Sequence, residues 1–516
     1  MTRMITTDVV VVGGGLGGLS AARHLQEKGY DVVVLEHHTK PGGYAHYFRA
    51  SGYRFEVALH ALDGLGPGGW AKPMFETLGI LETVDFNQLD PFYTVSFPDF
   101  DLDVSTDISE YIEVVAGVFP DEREGLIALF DAIKRIGHDV GRFTIDRRSG
   151  IKVDQSQMLE RYPDMAMAFA SNWETFVGQY LTSQEARAVV TTLWGYLGLP
   201  PSTLSAGQFA LTLLSYFSAG AWYPTGGSGA MSFAIVDVIE GAGGSVFLRN
   251  TVTSIVPDGP ESVTVTTNRG LVVKAKAVVS NASPTSTAAL LPEESTSDSW
   301  MARIESDVPA LATFTVHLGV DRDLAAEGWN HHEFFEMSGY DIEAEYEAIM
   351  SGDFVNAGMI ISNYSVIDPG CAPEGKSVIV LTSLAPWDYN NVWGTGGDLD
   401  SYQDNPLYIE EKEAVAEILI DRAARLIPHL KESIEVTLIG TPLTNARYML
   451  QPSGSIYGRE QTVANMMNRA GSSTPVPNLF LAGAWIGGGG MTAAVASGKS
   501  AAGATARYLK NVHRTS

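Results

Sequence analysis

The chain has 516 residues, of which 45% are hydrophobic, and a formal charge of −26 at pH 7. This length exceeds one ordinary core, so two domains or one domain with large insertions are expected, and either can bury a large cofactor. The negative charge makes nucleic acid an unfavourable partner, and the single cysteine, Cys371, excludes an intramolecular disulfide and a cysteine-based metal cluster.

The first strong element is a run of β-branched residues, Val9 to Val12, which predicts a parallel strand buried on both faces. Glycines follow it, and the segment from Leu19 to Gly29 has helical character. Asp31 to Leu35 then predicts a second buried strand. Connections of this kind are right-handed and parallel, so the N-terminus predicts a strand-turn-helix-strand unit.

Gly13, Gly15 and Gly18 lie in that turn at the spacing of a dinucleotide-binding fingerprint. Gly13 permits the tight turn, Gly15 lets backbone amides approach a pyrophosphate, and Gly18 allows close packing of helix on strand. The helix N-terminus adds amide donors and a partial positive charge. Glu36 ends the second strand, where its carboxylate can accept hydrogen bonds from an adenosine ribose. The fingerprint alone leaves NAD and FAD open.

The middle of the chain changes character twice. From Ile108 to about Arg187, apolar residues recur at helical spacing, which predicts helices. We expect this helical region to be an inserted domain. From Ala188 to Val236 it contains no Asp, Glu, Lys, Arg or His. Prolines and glycines interrupt this uncharged stretch, so a membrane span is not expected. Two interpretations stay open: a buried crossing of the core, or the wall of a lipophilic binding tunnel.

The second half predicts more strands and helices. Ala277 to Ser280 is another buried strand. Strand-like runs then alternate with acidic helical runs, which predicts a second sheet with helices on one side: strands at Leu311–Leu318, Val378–Leu384 and Ile434–Ile439, and helices at Ile342–Met350 and Tyr408–Ile427. Asn478 to Gly483 returns to the first pattern, a strand that leads into a glycine turn and an alanine-rich helix. The nucleotide-binding domain is therefore expected to be discontinuous.

Further motifs follow the fingerprint along nearly the whole chain. They are Lys40-Pro41-Gly42-Gly43-Tyr44, Tyr223–Gly229 with Ala242-Gly243-Gly244 and Val252, Val278–Pro284, Thr441–Thr444, Arg447-Tyr448, Gly454–Gly458 and Gly483–Thr492. Together they resemble the superfamily of phytoene desaturases, carotenoid isomerases and retinol saturases, which is related more distantly to the amine oxidases. The motifs between Thr441 and Gly458 look most like the saturase and isomerase branch. The usual pattern has arginines flanking the double glycine, whereas this chain has Lys40 and Tyr44 there.

The resemblance implies an α/β fold with a discontinuous Rossmann-type FAD-binding domain, a mixed-sheet substrate domain and a helical insertion. The expected boundaries are 1–107, 221–300 and 446–516 for the three parts of the FAD-binding domain, 108–220 for the helical insertion with the tunnel, and 301–445 for the substrate domain. It also implies FAD, held non-covalently, as the cofactor.

The expected FAD site joins the fingerprint to these motifs. The double glycine brings backbone up to the FAD, the backbone of Val252 meets the adenine, and amides near Met491 and Thr492 face flavin N1 and the C2 carbonyl. His60 follows Leu59 in a segment that resembles the saturase family's glycine-isoleucine-histidine stretch, so it is expected close to the flavin. The cofactor-binding set is Gly13, Gly15, Leu16, Gly17, Gly18, Glu36, Gly42, Gly43, Tyr44, His60, Val252, Gly483, Met491 and Thr492.

His60 is also the first candidate catalytic residue, because a histidine pKa of about 6.5 lets it donate or accept a proton near neutrality. The alternative is a buried histidine that only forms hydrogen bonds. Tyr457 is the next candidate proton source. The aromatic residues expected to contact substrate are Trp194, Tyr216, Phe217, Trp222 and Trp485.

The resemblance implies an FAD-dependent enzyme that desaturates, saturates or isomerises carbon–carbon bonds of a long lipophilic polyene or prenyl-type substrate, such as a carotenoid, a retinoid or an unsaturated lipid. Two alternatives are a flavin amine oxidase and a flavin-bound carrier that holds lipophilic pigment without turnover. The electron acceptor or donor is unknown. We expect a cytoplasmic protein with at most peripheral membrane contact and no nucleic-acid partner.

No metal site is predicted. His331-His332-Glu333 lacks the spacing of two histidines one helical turn apart that a zinc helix uses. The two histidines are expected in a surface loop.

Overall fold

The computed structural model describes residues 3–151, 153–388, 391–467 and 471–515. Its strands, in chain order, are β1 (Arg3–Thr6), β2 (Val9–Val12), β3 (Val32–Leu35), β4 (Tyr47–Ala50), β5 (Tyr53–Glu56), β6 (Leu62–Asp63), β7 (Phe86–Gln88), β8 (Tyr93–Phe97), β9 (Phe100–Val104), β10 (Ala221–Pro224), β11 (Ser245–Phe247), β12 (Val252–Gly259), β13 (Ser262–Thr267), β14 (Leu271–Ala275), β15 (Ala277–Ser280), β16 (Ala312–Val320), β17 (Glu333–Glu336), β18 (Met359–Asn363), β19 (Ser377–Ala385), β20 (Ile434–Gly440) and β21 (Leu479–Leu481).

The α-helices, in chain order, are α1 (Leu16–Gln26), α2 (Lys72–Leu78), α3 (Ile108–Val118), α4 (Arg123–Arg148), α5 (Gln155–Arg161), α6 (Pro163–Phe169), α7 (Trp173–Val177), α8 (Gln184–Thr191), α9 (Ala206–Ala219), α10 (Ser228–Gly241), α11 (Pro284–Ala288), α12 (Asp298–Glu305), α13 (Ile342–Ser351), α14 (Tyr364–Ile367), α15 (Pro406–Leu426), α16 (Pro442–Met449), α17 (Val463–Met467), α18 (Ala484–Gly487) and α19 (Met491–Thr515). Among the described residues, no helix combines the length and the apolar character needed to cross a bilayer.

The parallel sheet has the strand order β11-β3-β2-β15-β21, so it joins three distant parts of the chain. All four residues of β2, β3 and β15 are buried. Uninterrupted β-branched runs suit such strands because helices cover both faces of a parallel sheet. The predicted strands Val9–Val12 and Ala277–Ser280 match the structure residue for residue, and the nucleotide-binding layer is discontinuous as expected.

Helix α1 begins earlier than its sequence indicates. The sequence predicts helical character from Leu19, whereas the helix starts at Leu16 and contains Gly17 and Gly18. Glycine disfavours a helix interior, which hides this first turn from a propensity argument. Both positions need glycine, because a Cβ on Gly17 would lie 2.4 Å from the Asn281 side chain and one on Gly18 would lie 2.0 Å from the carbonyl oxygen of Gly13.

The mixed sheet has the order β20-β16-β19-β18-β17-β8-β9, with β17 and β8 parallel and the other neighbours antiparallel. It contains the three strands that the sequence predicts in the second half. It also contains β8 and β9, which lie within the range 1–107 expected for the FAD-binding domain. The proposed domain boundaries therefore do not coincide with the membership of the sheets at this point. Helix α15 packs against β16, β19 and β20.

Candidate active site

A cavity of about 780 Å³ lies between the glycine loops at the parallel sheet and one face of the mixed sheet. On one side it is lined by loops that follow β2, β15 and β21. Carboxyl ends of neighbouring parallel strands meet at one edge of a sheet, which is where open α/β sheets bind their ligands. On the other side it is lined by residues of β16, β18, β19 and α13.

Most of the predicted cofactor residues meet at this cavity. Those that line it are Gly13, Gly15, Leu16, Gly17, Glu36, Gly42, Gly43, Tyr44, His60, Val252, Gly483 and Met491. Gly18 and Thr492 lie behind the wall. Gly18 allows close packing, since a Cβ there would lie 2.0 Å from the Gly13 carbonyl oxygen. The Thr492 hydroxyl, at the start of α19, is buried without a hydrogen-bond partner among the described residues.

Asn281 joins the glycine loops, and sequence reasoning missed it. A Cβ on Gly15, Gly17 or Gly483 would lie 2.7, 2.4 or 2.7 Å, respectively, from the nearest atom of the Asn281 side chain. Its Oδ1 atom is buried and has no hydrogen-bond partner in the described part of the chain. The sequence signals were its position directly after a buried strand of the parallel sheet and its place within the motif Val278–Pro284.

Two backbone amides fix the carboxylate of Glu36. Its Oε2 atom accepts a hydrogen bond from the Gly14 amide at 2.6 Å, and Oε1 accepts one from the His38 amide at 2.7 Å. Burial raises the pKa of Glu36, and the two amides oppose that shift. Each carboxylate oxygen has a further lone pair, so both can still accept from hydroxyl groups.

The double glycine lies directly against the fingerprint. The Gly42 amide donates to the Gly14 carbonyl oxygen at 2.7 Å, and a Cβ on Gly42 would lie 2.1 Å from the Ala45 carbonyl oxygen. Lys40, which replaces an arginine of the usual pattern, donates instead to the Tyr47 carbonyl oxygen at 2.5 Å. Tyr44 donates to the carbonyl oxygens of Gly454 and Ser455.

The cavity is poor in positive charge. Among the described residues that line it, none is Lys or Arg. A bound pyrophosphate would therefore meet backbone amides and the N-terminus of α1 rather than ionised side chains. The glycine cradle fits a pyrophosphate, and the Glu36 carboxylate and the unpartnered amide oxygen of Asn281, which both accept hydrogen bonds, fit hydroxyl groups of FAD.

His60 is bonded to a buried carboxylate that the sequence did not single out. Its Nδ1 atom lies 3.1 and 3.2 Å from the two oxygens of Glu333 and 3.2 Å from the Ser362 hydroxyl. The Glu333 side chain is fully buried. Burial alone would lower the pKa of His60, but the charge and hydrogen bond of Glu333 outweigh it, so the pKa is raised. With Nδ1 engaged, Nε2 is the nitrogen left for proton transfer.

His332 corrects the expectation of a surface loop. It is buried, and its Nε2 atom lies 3.1 Å from the His60 carbonyl oxygen. Because a carbonyl can only accept, Nε2 carries the proton. Burial lowers the pKa of His332. The Tyr364 hydroxyl donates to the neighbouring Leu59 carbonyl at 2.8 Å, so the loop that carries His60 is fixed by two side chains.

Two tyrosines, Tyr457 and Tyr196, line the same cavity as His60. Tyr457 lines the cavity, but its hydroxyl donates to the Gly195 carbonyl oxygen at 2.8 Å, and burial raises its pKa. The ring of Tyr196 stacks on His60 with centroids 5.9 Å apart. The Tyr196 hydroxyl is buried without a hydrogen-bond partner among the described residues. Tyr196 is therefore a candidate substrate contact that the predicted substrate residues do not include.

The five predicted substrate residues divide into two groups. Trp194 and Trp485 line the cavity. Tyr216, Phe217 and Trp222 do not: the Tyr216 hydroxyl donates to the Ala61 carbonyl, Phe217 packs on Tyr111 and Phe130, and Trp222 donates to the Ala219 carbonyl. The first two of these pack in the core between helices and loops. Within the uncharged stretch, most residues are core, whereas four residues line the cavity: Thr192, Trp194, Gly195 and Tyr196.

The wall formed by the mixed sheet is mainly apolar. The sheet contributes Met359, Ile360, Val380 and Leu384, and adjoining segments contribute Met337, Ile349, Trp387 and Leu399. Thr315 and Thr382, which are direct partners across β16 and β19, add hydroxyl groups. Glu345 of α13 adds a carboxyl group. No group of three His, Cys, Asp or Glu side chains in the described residues is arranged to hold a metal ion.

Comparisons with known proteins agree with this site. The family model described as flavin containing amine oxidoreductase matches residues 16–505. The all-trans-retinol 13,14-reductase of Macaca fascicularis is 26% identical over 510 residues, which cover 92% of this chain and 82% of that protein. The chloroplastic prolycopene isomerase of Daucus carota is 24% identical, with 92% of this chain and 76% of that protein covered.

The fold is shared with solved structures. The cyclohexylamine oxidase of Brevibacterium oxydans superposes with a TM-score of 0.62 at 16% identity, covering 98% of this chain and 99% of that one. The predicted α/β architecture, the resemblance to the saturase and isomerase branch, and FAD as cofactor are confirmed. The chain is thus an FAD-dependent oxidoreductase and belongs to the flavin containing amine oxidoreductase family.

Proposed function

We propose that this enzyme acts on carbon–carbon bonds of a long lipophilic polyene, of the retinoid or carotenoid type, by saturation, desaturation or isomerisation of double bonds. The observation that carries the proposal is the continuity of the cavity, which runs from the glycine loops past His60 to an apolar wall of aliphatic side chains. Similarity to a retinol reductase and a prolycopene isomerase over 92% of the chain supports it.

The cofactor contacts belong to the same proposal. The glycines at 13, 15 and 17 with the double glycine would hold the pyrophosphate, Glu36 the ribose, and Val252 the adenine. The start of α19, with Met491 and Thr492, would supply amides to the flavin ring. When bound, FAD supplies the redox chemistry of the reaction.

His60 is the proposed proton donor or acceptor. Addition of hydrogen across a double bond needs a proton, and a histidine with a raised pKa can hold one near neutrality. Glu333 is the proposed positioning residue, because its bond to Nδ1 fixes the ring and favours the protonated form. The apolar wall would exclude water and align the polyene beside His60.

A panel experiment tests the proposal. The purified holoenzyme is incubated with carotenoids, retinoids and unsaturated fatty acids, with its flavin oxidised or pre-reduced, and the products are identified by mass and geometry. Turnover of a conjugated polyene is expected. Peroxide release with a panel of amines, and no change in any polyene, would instead establish an amine oxidase.

The same samples distinguish an enzyme from a carrier that binds its pigment without turnover. The carrier would bind a polyene and return it unchanged from both redox states of the flavin. The mainly apolar wall is compatible with such a carrier, but the carboxylate-bonded His60 is not needed for one.

A further inference from the structure

One group in the apolar part of the cavity is left unexplained by the proposed reaction. Glu345 lies on α13, is only 3% exposed, and lines the cavity. Its Oε2 atom has no hydrogen-bond partner among the described residues. A buried polar group without a partner destabilises the fold. A ligand that formed a hydrogen bond to Glu345 would remove this cost.

The nearest opposite charge does not satisfy Glu345. The guanidinium of Arg422 donates through Nε and Nη2 to Glu336, at 3.1 and 2.8 Å, and through Nη1 to the Phe354 carbonyl oxygen at 2.6 Å. Arg422 acts on Glu345 only through its charge, and Glu336 opposes it. Burial dominates and raises the pKa of Glu345 to about 8, so the carboxyl group is protonated near pH 7.

The backbone around Glu345 leaves room for this carboxyl group. A Cβ on Gly358, just before β18, would lie 2.0 Å from Oε1 of Glu345. Glycine at 358 therefore lets the acid pack against the main chain. On the neighbouring sheet face, the cross-strand pair Thr315 and Thr382 also lines the cavity.

We propose that Glu345 forms a polar subsite that receives a neutral terminal oxygen of the polyene, a hydroxyl or a carbonyl group. This inference rests on the proposed function, since it names the end group of the same substrate. A protonated carboxyl group can donate to either oxygen and can accept from a hydroxyl. An ammonium group fits less well, because it would lose its hydration beside apolar side chains and meet the positive charge of Arg422. A hydrocarbon polyene would leave Glu345 unpaired.

Binding to the holoenzyme tests this without requiring turnover. The probes are all-trans-retinol, its aldehyde, the hydrocarbon of the same carbon skeleton, and the corresponding amine. Quenching of tryptophan fluorescence reports binding, since Trp194 and Trp485 line the cavity. The wild type should bind the alcohol and aldehyde about three- to tenfold more tightly than the hydrocarbon, the range expected for one hydrogen bond.

Three variants and one control show whether Glu345 causes the preference for the alcohol and aldehyde. Glu345→Gln keeps a donor and an acceptor and should retain it, whereas Glu345→Met should lose it while binding the hydrocarbon at least as well. Glu347→Met, an exposed position on the same helix, is the matched control and should behave as the wild type. Gly358→Ala should weaken the preference by displacing the carboxyl group, which gives a second route if the Met variant folds poorly. An intact flavin spectrum reports folding in each case.

The outcomes distinguish failure of the Glu345 subsite from failure of the proposed polyene chemistry. If the wild type binds alcohol and hydrocarbon equally, or if Glu345→Met keeps the preference, the subsite is refuted while polyene chemistry stands. Tighter binding of the amine than of the alcohol also refutes it. Binding of no polyene at all would overturn both proposals.

Discussion

At His60 two effects on the pKa oppose each other. Burial lowers it, and the adjacent Glu333 carboxylate raises it more. If His60 is the acid, activity should fall as the pH rises through its raised pKa. Removing the carboxylate charge should lower that pKa, so the decline should move to lower pH.

Substitutions at this pair are expected to separate chemistry from positioning. His60→Ala and His60→Gln should retain FAD and lower kcat by roughly 100-fold or more, the usual size of general acid–base catalysis. Glu333→Gln should retain FAD and shift the pH profile of kcat/KM to lower pH. Glu347→Gln is the control. Full activity in His60→Gln would make His60 a positioning group, and an unchanged profile in Glu333→Gln would remove the proposed role of Glu333.

The raised pKa of Glu345 predicts a change in stability with pH rather than a change in activity. Its pKa is raised from 4.5 to about 8, so between these values the folded state holds a proton that the unfolded state releases. Stability from this residue is therefore lost as the pH rises through that window. Glu345→Gln does not titrate, so its Tm minus that of the wild type should increase from about pH 5 to about pH 9, by at least about 2 °C. A difference that stays constant with pH would mean that Glu345 is ionised at neutrality.

The residues of the site were predictable to different degrees. The fingerprint glycines and Glu36 follow from spacing, because adjacent strands and one turn position them. Glu333 and Ser362 meet His60 from positions 273 and 302 residues away, so no local pattern could pair them. Asn281 and Glu345 become candidates only when burial and missing partners are known.

At the scale of elements, strands were predicted better than their sheet partners. The bounds of β2 and β15 were predicted correctly, because buried parallel strands favour short runs of apolar and small residues. Assignment of β8 and β9 to the mixed sheet depends on the parallel pairing of β8 with β17, between residues far apart in sequence. The glycines in the first turn of α1 lie against Asn281 and Gly483, which are far away in the sequence, so no local pattern shows that the helix starts at Leu16.

The packing of α1 on α19 predicts different effects for two glycines of α19. Gly498→Ala would place a Cβ 2.1 Å from the Gly17 carbonyl oxygen, so the helices must separate and the pyrophosphate loop must move. We expect about 1–3 kcal/mol of destabilisation, as for overpacking, together with faster FAD loss. Gly503→Ala meets only the Arg507 side chain at 3.5 Å and should be neutral or stabilising. Thermal unfolding and FAD release measure both. Equal effects at the two positions would contradict the packing argument.

At the scale of the whole molecule, the protein and the FAD phosphates both carry negative charge. The chain carries a formal charge of −26, and none of the described residues lining the cavity is Lys or Arg. Salt should therefore not weaken FAD binding, and screening of the repulsion should strengthen it modestly between low ionic strength and about 0.5 M. Titration of the apoprotein with FAD at several salt concentrations measures this. Marked weakening by salt would indicate that lysine or arginine side chains bind the phosphates.

The most direct test of the account is one anaerobic turnover with a single conjugated polyene. The FAD-loaded protein, oxidised in one sample and pre-reduced in the other, is mixed with the polyene, and both the flavin absorbance and the product are measured. We predict that the polyene gains or loses two hydrogens as an equal amount of flavin changes redox state, or keeps its mass and changes double-bond geometry. A polyene recovered unchanged from both samples, with a flavin that an amine readily reduces, would contradict the account.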